Sequence, residues 1–168
     1  MVMIMKYIDM ILEHTETVKS IWKTIKFSDN FPYKNNCAFV SAVDFLIENH
    51  DNSRFSDYEL ESAAKNFFPA EDCYELDAEY SFEKVCRHHN FSNPHHFEWW
   101  IENKDIMNAP DYVKHMFLCE MICDWAADAQ KTKRYIEEYY EKANEALQFD
   151  EDTNRFIFLL INILRDEV

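Results

Sequence analysis

The sequence predicts an all-α protein, a bundle of about seven or eight helices, and three observations support this class. Apolar residues recur at steps of three and four along most of the chain, which is the period of an amphipathic helix. No stretch shows the strict alternation of a half-buried strand. Glycine is absent and only 4 prolines occur, which disfavours the many tight turns of a β-sandwich.

Local signals divide this pattern into successive helices. Ser56 and Glu59 form a capping box, which predicts the start of the third helix. Asn93 followed by Pro94 predicts an N-cap and the first residue of a short helix, and Pro110 predicts the start of a long one. The predicted ranges are 3–27, 37–50, 56–68, 78–90, 94–101, 110–130, 132–147 and 153–164, with an irregular acidic connection at 71–76.

The length of 168 residues and the absence of a linker predict a single domain over residues 1–168. The 5 cysteines are odd in number and lack CxxC spacing, so we expect reduced thiols in a cytoplasmic protein, or in the host-cell cytoplasm if the chain is phage-encoded. The apolar N-terminal run is interrupted by Lys6 and Asp9, and we expect neither a signal peptide nor a membrane span there. These cysteines are Cys37, Cys73, Cys86, Cys119 and Cys123.

The charge balance limits the partners. The chain has 17 basic and 32 acidic residues, a net charge of −15, which repels duplex nucleic acid and anionic membranes. A small anion therefore needs a local positive centre, such as a metal ion. The absence of glycine also excludes a dinucleotide-binding GxGxxG loop, a Walker A loop and a nucleophile elbow.

The histidines and one acidic helix face are the candidate ligands. Imidazole and carboxylate groups suit Zn, Fe, Mn and Co ions. Glu120, Asp124 and Asp128 recur every four residues within an apolar segment, where a carboxylate is costly unless it is paired or binds a cation. The histidines stand near acids or in pairs, except for the last: His14, His50 before Asp51, His88 with His89, His95 with His96, and His115.

The order His14, His50-Asp51, Asp124 resembles the H…HD…D signature of the HD-domain superfamily of metal-dependent phosphohydrolases. Residues 50–56 are similar to that superfamily's HD-x-[SG]-K stretch, with Arg54 in place of lysine. Residues 89–100 and 120–125 resemble elements of a small HD-like family common in bacteriophages and bacteria. The resemblance covers about residues 10–128, and nothing in the C-terminal helices at 131–168 carries it.

The resemblance implies an all-α, HD-domain-like helical bundle, a bound divalent transition metal and a phosphohydrolase reaction. One or two ions of Mn, Fe, Co, Ni or Zn are expected, with Asp51 as the bridge between two. Arg54 would contact phosphate, Glu120 would orient a metal-bound histidine, and His89 would act as a ligand or as the general acid. The implied ligands are His14, His50, Asp51, His89, His95, His96 and Asp124, with either His95 or His96 pointing into the site.

Structural interpretations of the same residues stay open. Asp124 could pair with Lys133 or Arg134, and Arg54 could form a surface ion pair with Asp57 or Glu59. His88 is expected to point outward and His115 to be structural. The tryptophans are expected in the core.

Three functions follow from these alternatives. The first is a metal-dependent phosphohydrolase acting on a small phosphorylated molecule, with a nucleotide as the expected class. The missing glycines after the double histidine disfavour a cyclic dinucleotide. The second is a non-catalytic acidic binding or inhibitor protein of phage type, and the third is an HD-like di-iron oxygenase. The oligomeric state stays open.

Overall fold

The computed structural model describes residues 2–68 and 82–166, and within these ranges it confirms the all-α prediction. The described residues form eight α-helices and no strand. The helices are α1 (Val2–Phe27), α2 (Cys37–Glu48), α3 (Asp57–Phe67), α4 (Phe82–Ser92), α5 (Phe97–Glu102), α6 (Asp111–Thr132), α7 (Ile136–Leu147) and α8 (Glu151–Asp166). Short 3-10 helices span Asn52–Phe55 and Lys104–Asn108.

Some predictions fall outside this part of the chain. The acidic connection at 71–76, the predicted first turn of the fourth helix at 78–81 and Cys73 lie outside the described residues. The four described cysteines are free thiols. None of the described helices is both long enough and apolar enough to cross a membrane.

Helix α6 runs through the core. Every residue from Leu118 to Ala127 is buried, and the helix packs against α1, α2 and α8. A helix that is surrounded on all sides needs small or apolar side chains around most of its circumference, as this segment has. The same burial carries the carboxylates of Glu120 and Asp124 into the protein interior.

Helix α1 connects two apolar clusters. Its first half packs Tyr7 and Ile11 with residues of α3 and α4, and its second half packs Val18 and Trp22 with α2, α6 and α8. His14 therefore lies on α1 between the residues that belong to the two clusters.

The turn between α4 and α5 differs from the prediction. Asn93 and Pro94 do not start the short helix, which begins at Phe97 with His96 as its N-cap residue. The Asn93 side chain instead donates a 2.7 Å hydrogen bond to the carbonyl of His89 in the last turn of α4. Residues 93–96 form a turn closed by the His96 amide and the Asn93 carbonyl, so both His95 and His96 lie on a turn rather than on a helix.

The C-terminal boundaries also differ. Lys133 has a left-handed conformation (φ 56°), which ends α6 at Thr132 and delays α7 until Ile136. Helix α8 starts at Glu151, before the predicted residue 153, because the carboxylate of Asp150 accepts a 2.7 Å hydrogen bond from the amide of Thr153. That bond satisfies one of the free N–H groups at the start of the helix.

Candidate metal centre

Asp51 is placed in the interior by an unusual backbone conformation. Helix α2 ends at Glu48, and Asp51 follows with φ 61°, in the left-handed region that aspartate tolerates better than most residues. The next residues form a 3-10 helix, which brings Arg54 back over the carboxylate. Its Nε donates a 2.6 Å hydrogen bond to Asp51 Oδ2. The other oxygen, Oδ1, faces the histidines.

The first group of ligands joins α1, the end of α2 and α6. His14 Nε2 lies 2.9 Å from Asp124 Oδ1 and 3.3 Å from His50 Nε2. His50 Nε2 is also 3.5 Å from Asp124 Oδ1 and 4.0 Å from Asp51 Oδ1. The structure therefore brings together the four residues of the H…HD…D pattern, which are far apart in the sequence.

The second group forms on the other side of Asp51. Asp51 Oδ1 lies 3.0 Å from His89 Nε2 and 3.4 Å from His95 Nε2, and His96 lies in the same cluster. The Nε2 atoms of His89, His95 and His96 are buried without a hydrogen-bond partner among the described residues. The 3.0 Å contact between His89 Nε2 and Asp51 Oδ1 is not a hydrogen bond. Three buried nitrogens without partners at one place are costly unless something else binds them.

Two buried glutamates hold the outer nitrogens of these imidazoles. Glu120 Oε1 accepts hydrogen bonds from His50 Nδ1 at 3.0 Å and from His95 Nδ1 at 3.2 Å. Glu59 Oε2 lies 3.1 Å from His89 Nδ1, and its other oxygen lies 2.7 Å from His88 Nδ1. A carboxylate can only accept, so each of these contacts places the proton on Nδ1. The lone pair of Nε2 is then directed into the site, as in histidines that bind metals.

Glu59 is the site residue that sequence reasoning missed. Its position in the sequence assigns it to the capping box of α3. Its backbone amide does form one bond of that box, by donating to the Ser56 hydroxyl at 3.3 Å. Its side chain, however, is 0% exposed and points to the two histidines instead of returning to the Ser56 amide. The sequence signal was a glutamate in the first turn of a helix, which is common in proteins without a metal site.

The carboxylates of the site are ionised. Burial raises the pKa of Asp51, but Arg54, His89 and His95 lower it more, so the pKa lies well below its usual range. Burial likewise opposes ionisation of Asp124, yet His14 and His50 hold its pKa well below normal. The pKa of Glu120 is lowered in the same way, since its hydrogen bonds from His50 and His95 outweigh burial.

Two histidines respond in opposite directions. Burial lowers the pKa of His50, but hydrogen bonds to Asp124 and Glu120 raise it to about 10. For His96, burial and the neighbouring His95 hold the pKa well below normal. The site thus attracts positive charge on the side of Asp124, and it keeps a neutral imidazole on the side of His96. Cation binding requires carboxylates and neutral imidazoles, so an ion at the first group must displace a proton from His50, whereas His96 already favours the neutral form.

A cavity of about 250 Å³ opens onto this centre. Asp51, Asp124 and His96 contribute to its wall, together with Arg54, whose side chain is 25% exposed. Small molecules can therefore reach the carboxylate of Asp51, which belongs to both groups, and that of Asp124, which lies in the first group.

The model of DUF5662, a family of unknown function, matches residues 3–163. The chain belongs to this family. The match includes all the residues of the candidate centre and extends through most of α8, beyond the point where the HD-like motifs end. No curated protein and no solved structure matches the chain.

The structure decides between several interpretations of single residues in this DUF5662 member. Asp124 contacts His14 and His50, and within the described residues it forms no ion pair with the basic residues after α6. Arg54 pairs with Asp51 and also donates to the Tyr7 hydroxyl at 3.4 Å, and within the described residues it forms no ion pair with Asp57 or Glu59.

The remaining histidines and the tryptophans take structural positions. His88 points outward, with 43% of its side chain exposed, although it still contacts Glu59. His115 lies outside the centre, where its ring stacks on Phe156 at 3.7 Å. Trp100 and Trp125 are buried in the core, as predicted.

Proposed function

We propose that this protein is a metal-dependent phosphohydrolase of the HD type that binds two divalent transition-metal ions and acts on a small phosphorylated molecule, a nucleotide being the expected class. One observation carries the proposal. A single carboxylate oxygen, Asp51 Oδ1, faces imidazole nitrogens from two separate groups, and three of the nearby nitrogens have no hydrogen-bond partner among the described residues.

The donor atoms fit transition metals. Within each group the candidate ligand atoms lie within 4.8 Å of one another. This holds for His14, His50 and Asp51 of the first group, to which Asp124 adds its contacts with both histidines, and for Asp51 with three histidines in the second. Nitrogen and carboxylate oxygen are the donors that Mn, Fe, Co, Ni and Zn share, so the set favours this class of ion without selecting one. Because Asp51 belongs to both groups, it is the natural bridge of a two-metal site.

The chemistry of such a centre accounts for a hydrolase. Bound divalent ions lower the pKa of a coordinated water toward about 7 and neutralise charge on phosphoryl oxygens. The chain's own residues then have separate tasks. Arg54 holds Asp51 by Oδ2, which leaves Oδ1 directed at the histidines. Glu120 and Glu59 hold the imidazoles through Nδ1.

His89 is better placed to bind a metal than to transfer a proton. Asp51, Glu59 and Ser53 surround its ring, and only 1% of the residue is exposed. His96, in contrast, lies in the wall of the cavity that a substrate would enter. Arg54 lies in the same wall, where the N–H groups that do not bind Asp51 or Tyr7 can donate to a phosphate.

Metal analysis of protein purified without chelators tests the proposal. We expect two ions per chain, and the substitution Asp51→Asn should lower the content to one ion or none because it weakens the shared ligand. Asp57→Asn makes the same chemical change at an exposed position of α3 and should leave the metal content unchanged. Equal metal content in the Asp51 variant would refute the proposed centre.

A substrate screen tests the reaction. Phosphomonoesters, dinucleotides and nucleoside triphosphates should be offered to the protein loaded with Mn, Co, Fe or Zn. The expected result is hydrolysis of one of these compounds, followed as released phosphate, pyrophosphate or nucleotide, that is lost in Asp51→Asn. Two histidine-carboxylate groups with a shared aspartate also suit a di-iron centre, so the iron-loaded protein should be examined for oxygen uptake. Oxygen consumption without phosphate release would reassign the protein as an oxygenase.

A further inference from the structure

Lys131 is a second cation in the wall of the cavity above the candidate metal centre. The wall contains the carboxylates of Asp51, Asp124 and Asp128, opposed by Arg54 and Lys131. Arg54 is bound to Asp51. Lys131 is exposed, and among the residues that the structure describes it forms no hydrogen bond or ion pair.

Lys131 also lies in the wall of a second cavity. This second cavity of about 290 Å³ shares Lys131, Met10 and His14 with the first. Lys131 therefore lies in the wall that the two cavities have in common. In a chain with a net charge of −15, this ammonium group, whose charge already acts on Asp128, makes the local potential at the cavity wall more positive.

Helix geometry directs Lys131 toward the centre. Asp124, Asp128 and Lys131 are separated by four and three residues on α6, so they share one face of the helix. Seven residues correspond to a rise of about 10 Å along the axis. Helical side chains lean toward the N-terminus, and the long stem of a lysine therefore leans back toward Asp128 and Asp124.

We infer that Lys131 binds the phosphate group of the substrate at the mouth of the cavity, while that phosphate occupies the metal centre. This inference rests on the proposed function. A lysine ammonium acts as a point charge with three donors on a flexible stem, which suits the outer oxygens of a phosphate dianion. Arg54 already gives its Nε–H to Asp51, so Lys131 is the cavity cation with all its donors available.

Binding of inorganic phosphate to the manganese-loaded protein tests the inference. Isothermal titration should show that Lys131→Met weakens phosphate binding about tenfold, which equals about 1.4 kcal/mol. Lys131→Arg should stay within about threefold of the wild type, because it keeps the charge. Lys133→Met is the matched control, since it removes the same charge two residues away on a side chain outside the cavity wall. It should bind phosphate like the wild type.

The outcomes separate the two proposals. If the wild type binds phosphate only when loaded with manganese and Lys131→Met binds it equally well, the inference about Lys131 is refuted and the metal centre stands. An equal loss in Lys133→Met would also refute it, because the effect would then be one of general charge. If the manganese-loaded wild type binds no phosphate, the proposed phosphohydrolase function fails together with the inference.

Discussion

Glu120 links the two ligand groups, and its replacement by glutamine tests the architecture of the centre as a whole. One of its oxygens accepts hydrogen bonds from His50 in the first group and from His95 in the second. Glutamine has nearly the same shape, but it is neutral, and its NH₂ group cannot accept. The substitution therefore weakens two contacts at once without removing a predicted metal ligand.

The magnitude follows from the nature of these two hydrogen bonds. A hydrogen bond to a charged group contributes about 1.5–3 kcal/mol, whereas a neutral one contributes about 0.5–1.5 kcal/mol. Two weakened bonds thus lower the free energy of unfolding of metal-free protein by about 2 kcal/mol. Loss of an outer carboxylate partner lowers metal affinity by about 10- to 100-fold. We expect this loss for both ions, since Glu120 holds one imidazole of each group. The pKa of His50 should also fall, because Glu120 is one of the two hydrogen-bonding acids that raise it.

The assay is a competition titration against a chromophoric zinc chelator, combined with urea unfolding of the metal-free protein. Glu102→Gln provides the control, since that glutamate is exposed at the end of α5. The control should match the wild type in both measurements. If Glu120→Gln bound both ions with wild-type affinity, the assignment of Glu120 as a positioning residue for the two groups would be wrong.

Two further predictions concern single groups. Glu59→Gln should weaken metal binding about tenfold at the group that contains His89 and leave the other group unchanged. A stepwise chelator titration would resolve the two groups. Glu61→Gln changes an exposed glutamate on α3 and is the control. The metal-free protein should lose stability as the pH rises, since the pKa of His50 is raised from 6.5 to about 10 on folding. Its contribution is complete below pH 6.5 and disappears as the pH passes through about 10. Urea unfolding across this range should show a decline that is absent in His50→Gln, and an equal decline in that variant would contradict the assignment.

Much of the fold follows from local pattern. The helical period of apolar residues, the absence of glycine and the prolines are properties of short segments, and they suffice to predict an all-α chain with nearly correct helix positions. A compensating partner for Asp124 is also predictable, because a carboxylate within the apolar segment of α6 needs one, but this argument does not choose between the histidines and the basic residues after α6. The two histidine pairs, at 88–89 and 95–96, likewise indicate ligands of the second group.

Other features were decided only when the helices packed together. Local sequence assigns Glu59 to a capping box and Asn93 to the start of a helix. Both side chains instead contact His89 on α4, and no short stretch of sequence predicts these contacts. The same holds for Asp51 as the shared carboxylate. The chain pattern specifies which residues lie on a helix face, but the atoms that meet across helices depend on three-dimensional packing. Buried polar groups take the partners that this packing brings within hydrogen-bonding distance.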